Sequence, residues 1–260
     1  MINQTFVHCP GIGLKTENRL KSLGFDTWED CLNRPEDIPF RTEKKKLFLD
    51  LLSESQEALK NHDISYFVSK LPTKEHWRIL GTYYQQATYF DIETTGLSPY
   101  DSFTTLIVAY HKDKLYTFLY GENLDAFLQL IDESVLLVAF NGNSFDVPFL
   151  EHSFNIPDIG CPYIDLRWIA YHQGYSGGLK AIEKEMGLFR PRKIGDIDGF
   201  EAVRLFYEWQ AGDISARDKL IGYCQADVLS TCLVSEQIIR EIGISIPRKH
   251  PEQIYKLLEL

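Results

Sequence analysis

The spacing of hydrophobic positions changes near residue 83. Before it, apolar residues recur at helical intervals. Leu47, Phe48, Leu51, Leu52, Ser55, Ala58 and Leu59 share one stripe, which predicts a single amphipathic helix over residues 42–60. Further helices are expected near Asp63 and from Pro72-Thr73. Leu20, Leu23, Phe25, Trp28, Cys31 and Leu32 form a separate apolar cluster. The stretch from Arg34 to Pro39, with a proline at each end, reads as a linker. From Tyr83 the period becomes strand-like. Strands are expected near 86–92, 104–111 and 114–120, then a helix at about 122–131 and a strand at 135–141. Ser144 is expected to cap a helix running to Phe154, and a short strand holds Tyr163 to Leu166. A helix opens after Gly177-Gly178. An aromatic-rich one follows over 199–209, with Phe200, Phe206, Tyr207 and Trp209 expected in the core. Ser215 opens a long helix to about Glu241.

Three consecutive strands followed by alternating helix and strand predict an α/β fold: a mixed sheet flanked by helices, preceded by a small all-α region. The expected divisions are a hairpin-containing segment over 1–38, a helical connector over 39–80, the α/β domain over 81–243 and a tail over 244–260.

Acidic residues sit at particular points of this pattern. Asp91 and Glu93 are two apart on a predicted strand, so both carboxylates leave one face. Two acids on one strand face repel, and a cation between them removes the conflict. An exposed strand end would tolerate them equally. The apolar run 136–140 leads into Asn141-Gly142-Asn143-Ser144-Phe145-Asp146. Tyr223 and Asp227 are four apart in a helical pattern, on one face beside the apolar residues Ile221, Cys224, Val228 and Cys232.

Asp-x-Glu, Asn-x-x-x-Phe-Asp and Tyr-x-x-x-Asp, in that order, resemble the three motifs of the DnaQ-like 3′–5′ exonucleases, in the branch with Tyr in the third motif (DEDDy). Phe6-Val7-His8-Cys9-Pro10-Gly11-Ile12-Gly13 and Glu75-His76-Trp77-Arg78 resemble the bacterial YprB-type ribonuclease-H-like family. The resemblance implies a ribonuclease-H-like sheet with its acids at strand ends. It implies two divalent cations, Mg²⁺ or Mn²⁺, held by Asp91, Glu93, Asp146 and Asp227. In that scheme Asp91 bridges both ions, Glu93 and Asp227 complete one site, and Asp146 supports the other. Tyr223 would orient the attacking water. Thr94, Gly96 and Leu97 would meet the terminal nucleotide, and Asn141 would bond near the substrate or cap a turn. The implied activity is stepwise hydrolysis of single-stranded DNA or RNA from a free 3′ end. A structure-selective endonuclease and a non-catalytic nucleic-acid-binding module are the alternatives.

Two basic features are candidate substrate contacts. Arg190, Arg192 and Lys193 form the one dense basic cluster of the second half, and would touch phosphates. The segment from Pro10 to Arg19 resembles the hairpin and second helix of a helix-hairpin-helix motif, with Gly11, Gly13 and Lys15 offered to a phosphate. A tight turn capping a small helical region is the competing reading.

Net charge changes this picture less than its distribution does. The chain carries −10 overall, yet residues 1–78 balance 12 basic against 12 acidic side chains. Residues 79–260 hold 15 and 25, so the excess lies beside the proposed ligands, where two divalent cations would offset four acids. Hydrophobic content of 44% and charge of 25% are ordinary for a globular protein, and no apolar run is long enough to cross a membrane. The first residues lack a basic segment followed by an apolar core, so no secretory leader is expected. Five scattered cysteines without a C-x-x-C pair suit buried free thiols, and a cytoplasmic location is expected.

Overall fold

The computed structural model describes residues 1–194, 197, 199–247 and 249–258. Part of the expected tail, residues 248, 259 and 260, therefore lies outside the described residues. The chain forms two compact units, Met1–Thr82 and Tyr83–Leu260.

The first unit is helical, with α1 (Leu14–Ser22), α2 (Trp28–Asn33), α3 (Thr42–Lys60), α4 (Ile64–Lys70) and the start of α5 (Trp77–Tyr83). A short 3-10 turn, Ile2–Gln4, lies ahead of the turns between Phe6 and Gly13. Glu17 of α1 turns back into the interior and accepts from Thr5 Oγ1 at 2.7 Å and Phe6 N at 2.6 Å, which ties the preceding segment to the helix. Trp28 donates its indole N–H to Thr5 O at 2.6 Å and stacks on Phe67 at 6.0 Å between centroids, while Phe6 meets Phe48 at 5.7 Å. Residues of the 1–38 and 39–80 segments thus share one core. Within the expected linker, Pro35–Asp37 is a 3-10 turn and Ile38 is buried. α3 has the bounds its periodicity predicts. Its buried face is Phe48, Leu52, Ser55 and Ala58, whereas Leu47 is exposed at the edge of the stripe.

The second unit is built on a five-stranded sheet of order β3-β2-β1-β4-β5. The strands are β1 (Ala87–Thr94), β2 (Thr104–His111), β3 (Lys114–Leu119), β4 (Leu136–Ala139) and β5 (Tyr163–Asp165). β1, β2 and β3 pair antiparallel, and β4 and β5 add in parallel, the mixed α/β order expected from the sequence. Helices α6 (Ala126–Glu133) and α7 (Asp146–Phe154) pack on one face. There Phe90 and Ile92 of β1 join Ile107, Phe127, Leu137 and Phe149 in a continuous apolar core. The alternate residues of β1, among them Asp91 and Glu93, face the other side. That side is covered by the long helix α11 (Ile214–Glu241), which packs on β1 and β2. Between β5 and α11 run α8 (Leu166–His172), α9 (Leu179–Glu185) and α10 (Gly199–Gln210), and α12 (Pro251–Ile254) follows it.

Three local expectations change. The α7 N-cap is Phe145 and not Ser144, because the 141–144 turn closes one residue earlier, Ser144 N donating to Asn141 O at 3.2 Å. Asp213, and not Ser215, caps α11. Its carboxylate accepts from Ser215 N at 2.9 Å and Ala216 N at 3.2 Å, and an ionised Asp is a strong acceptor for orphan helix N–H groups. On α10 only Phe206 of the four aromatic residues is fully buried, while Phe200 is 87% exposed and Tyr207 is largely exposed. Among the described residues no helix is long and apolar enough to cross a membrane.

Candidate active site

β1 carries the first pair of acids to the edge of the sheet. Its ladder with β2 is interrupted between Glu93 and Thr94, where pairing jumps from Leu106 to Thr104. A bulge of this kind ends a strand and re-aims the side chains beside it. The turn beyond it is self-contained: Thr94 Oγ1 donates to Gly96 O at 2.6 Å and Thr95 N to Phe103 O at 3.0 Å. A side chain at Gly96 would put its Cβ 2.5 Å from Ser102 Oγ, so the turn packs closely on the Ser102 side chain there.

β4 delivers the second element. Asn141 takes a left-handed backbone, φ 70°, and its N–H donates to Asp165 Oδ1 at 2.9 Å, while Asn143 N donates to Asp165 Oδ2 at 3.3 Å. Asp165 is thus a structural acid that shapes the turn from the neighbouring strand, and it also caps α8 through Arg167 N at 2.9 Å. Asn141 Oδ1 accepts from Arg167 Nη1 at 2.6 Å, so its side chain holds this turn to α8. The turn ends at Asp146, the first residue of α7, which is 2% exposed. Its Oδ1 is buried without a hydrogen-bond partner among the described residues.

α11 brings the third element. It is buried on all sides from Cys224 to Glu236, so Asp227 enters the site from a largely buried stretch of helix. Cys224 Sγ lies 3.5 Å from Asp91 Oδ2, and donor atoms of Asp91, Glu93 and Cys224 all lie within 4.8 Å of one another. The structure therefore brings Asp91, Glu93, Asp146, Tyr223 and Asp227 together around the end of β1. Burial, and then Asp146, Asp227 and Glu93, push the Asp91 carboxyl well above its usual range. Glu93 is raised by burial and by Asp227 and Asp146. Asp146 is pushed up to about 7, chiefly by burial, with backbone N–H groups opposing. Asp91, Glu93 and Asp146, each raised by burial and by neighbouring acids, mark a pocket in which acids outnumber the cations beside them. An oxygen-rich donor set with an orphaned carboxylate oxygen fits a hard divalent cation.

Asp227 differs from the other three. Burial raises its carboxyl, but Arg190 opposes the shift, its Nη2 lying 2.5 Å from Asp227 Oδ1. The side chain of Arg190 is only 13% exposed and turned inward, whereas Arg192 and Lys193 are exposed at the surface. The basic cluster seen in the sequence is thus divided by the fold. Lys180, missed by sequence reasoning, holds its ammonium 5.1 Å from the Tyr223 ring centroid. It is the second residue of α9, and its spacing gave no signal. The Tyr223 phenol is pushed far above its usual range, by burial first and then by Asp227, Glu93 and Asp91.

Beside Glu93 opens a cleft of about 680 Å³, lined by Thr95, Gly96, Leu97, Phe145, Phe200 and Val203 among others. Leu97 and Phe200 are 85% and 87% exposed at its walls. Phe200 was expected in the core. In the first unit, Gly11 has φ 72° and its carbonyl accepts from Lys44 Nζ at 3.2 Å, while Gly13 is the N-cap of α1 and Lys15 is exposed.

No curated protein matches the chain. Among solved structures it is similar to the family B DNA polymerase from the hyperthermophilic archaeon Pyrobaculum calidifontis, at 18% identity and a TM-score of 0.48. That match covers 59% of this chain and spans about a quarter (24%) of the polymerase chain. The family model of the RNase_H superfamily matches residues 88–239, from the start of β1 to near the end of α11, and so takes in all three acidic elements. The chain belongs to the RNase_H superfamily.

Proposed function

We propose that the protein is a metal-dependent 3′–5′ exonuclease that hydrolyses phosphodiester bonds of single-stranded nucleic acid. The observation that carries the proposal is the convergence of Asp91, Glu93, Asp146 and Asp227 in a buried pocket, with Asp146 Oδ1 left unpartnered. These four residues would hold Mg²⁺ or Mn²⁺, two ions sharing four carboxylates. Bound divalent cations supply a water of lowered pKa and offset charge on the leaving oxygen.

The remaining residues position the substrate. Tyr223 stays a neutral phenol at physiological pH and cannot act as a base; its hydroxyl bonds Asp227, which places it to orient a water beside that carboxylate. The cleft beside Glu93 has the size of a small-ligand pocket and two exposed apolar walls. An unpaired terminal base can enter it and lie against Phe200 and Leu97, whereas a base held in a duplex keeps its faces stacked. Thr94, Thr95, Gly96 and Leu97 of the turn line the same cleft. Arg192 and Lys193 are exposed for phosphate contact.

End-labelled single strands of DNA and RNA, incubated with Mg²⁺, Mn²⁺ or EDTA, test the proposal. A ladder shortening one nucleotide at a time from the 3′ end, abolished by EDTA, is expected. Internal cleavage would assign an endonuclease to the same site. Absence of cleavage with both cations would leave a binding module.

A further inference from the structure

Among the described residues, Arg190 carries the one guanidinium within hydrogen-bonding distance of a proposed metal ligand. Its Nε and Nη2 meet Glu183 Oε1 and Oε2 at 2.8 and 2.7 Å, a planar fork on a carboxylate, and Nη2 reaches on to Asp227 Oδ1 at 2.5 Å. Glu183 is buried and is held in turn by Ser230 Oγ, on α11 one turn beyond Asp227. Ser230 also pairs with Tyr255 OH at 2.8 Å, which extends the network to the C-terminal segment. Through Nε and Nη2 the guanidinium is committed to these two carboxylates, while its Nη1 is buried without a hydrogen-bond partner among the described residues. Swinging it out to a phosphate would leave Glu183 and Asp227 buried without a counter-charge, a large penalty in an interior.

The charges show what this arrangement achieves. Alone, Arg190 would neutralise Asp227 and weaken its hold on a cation. Glu183 cancels Arg190, so the trio keeps one net negative charge for the cation site. Fork geometry fixes Asp227 Oδ1 in direction as well as distance, which an ammonium could not do.

We propose that Arg190, clamped by Glu183, is a positioning residue for Asp227: with the hydrogen bond from Tyr223 it fixes the direction in which the carboxylate meets the catalytic cation. This inference rests on the nuclease reading of the site. It removes Arg190 from the strand-binding surface and gives α9 a part in the active site.

The test follows Mn²⁺ binding to the full chain without substrate, by the paramagnetic resonance of free Mn²⁺, alongside kcat and KM on a labelled oligonucleotide. Glu183→Gln leaves the guanidinium uncompensated on Asp227, so the Mn²⁺ dissociation constant should rise about tenfold or more. Glu183→Gln with Arg190→Gln removes both charges and should return Mn²⁺ affinity to within about threefold of wild type, the non-additivity expected of residues in one network. In that double variant kcat should stay at least about tenfold down with KM little changed, because the clamp on Asp227 is lost. Arg190→Lys, which keeps the charge but loses the fork, should bind Mn²⁺ near wild type yet lose kcat. Wild-type Mn²⁺ affinity in Glu183→Gln, or no recovery in the double variant, overturns the clamp. A raised KM with unchanged kcat in Arg190→Lys would instead make Arg190 a strand contact. Mn²⁺ binding needs no turnover, so the expected binding pattern in a protein that cleaves nothing would overturn only the nuclease reading.

Discussion

Cys224 Sγ lies 3.5 Å from Asp91 Oδ2, its thiol donating to the carboxylate. Burial and the surrounding acids keep this thiol protonated, so it acts as a donor while no soft metal competes. Zn²⁺ and Cd²⁺ favour sulfur and displace such a proton on binding, whereas Mg²⁺ does not. Zn²⁺ is therefore expected to inhibit the Mg²⁺-supported reaction. Cys224→Ala should raise the Zn²⁺ needed for half-inhibition by about tenfold, the loss of roughly one favourable ligand contact. Identical inhibition curves for the two proteins would show that the thiol does not reach the ion.

The acidic pocket makes the cation-free protein sensitive to pH. Asp146 has its carboxyl pushed up to about 7, and Asp91 and Glu93 are raised as well. A raised acid binds its proton more tightly folded than unfolded. Between the unfolded value of about 4 and the folded value, the native state holds more protons, so stability falls as pH rises through that window. In EDTA the protein should melt at higher temperature at pH 5 than at pH 7.5. Asp91→Asn removes one of the repelling charges. It should raise the pH 7.5 melting temperature by about 2–4 °C per kcal/mol of relieved repulsion and flatten the pH dependence, while abolishing cleavage. An unfolded Asp91→Asn protein would make Asp91 a structural acid.

Two glycines near the site differ in how much a methyl group should disturb them. At Gly142 an added Cβ would lie 2.7 Å from the Cβ of Ala139, a buried strand residue with no rotamer to change. At Gly96 the clash is with Ser102 Oγ, which can rotate away. Gly142→Ala is expected to destabilise by about 1–3 kcal/mol, as overpacking does, and Gly96→Ala by less. Denaturant melts rank the two, and equal losses would mean that the Ser102 hydroxyl is as fixed as the Ala139 methyl.

What the sequence could disclose followed from locality. The periodicity of α3 and the β1-to-β3 run depends on neighbours, and both appear where the spacing put them. Asp91 with Glu93, and Tyr223 with Asp227, were legible as same-face pairs because each is fixed by a short-range rule, two apart on a strand or four apart on a helix. Arg190 was misplaced because the carboxylates that draw it inward, Glu183 and Asp227, are 7 and 37 residues away. Nothing in Arg190-Pro191-Arg192-Lys193 distinguishes the buried cation from the exposed ones. Phe200 has the spacing of a core aromatic, and only the cleft beside Glu93 gives its exposure a meaning. α11 is buried on all sides between Cys224 and Glu236, so one apolar stripe could not reveal how deeply Asp227 sits.

The last prediction concerns where the strand is held. Arg192 and Lys193 are exposed in the second unit, close in sequence to the clamp on Asp227. Lys15 and Arg19 are exposed on α1 in the first unit, beyond the Gly11 turn. Deleting residues 1–38 would not separate these regions cleanly, because Trp28 and Phe6 pack on Phe67 and Phe48. Charge reversal does so without opening that core. Arg192→Glu with Lys193→Glu should weaken binding of even a short single strand and flatten its salt dependence, each lost phosphate contact reducing the slope by about one. Lys15→Glu with Arg19→Glu should leave short strands cut at the wild-type rate. Its effect should appear on longer or partly duplex substrates, since a second contact region acts by raising effective concentration and helps only a substrate that spans to it. Cleavage rates on a length series, measured at two salt concentrations, provide the check. A loss from the α1 reversal that is equal at every length would rule out a separate contact there.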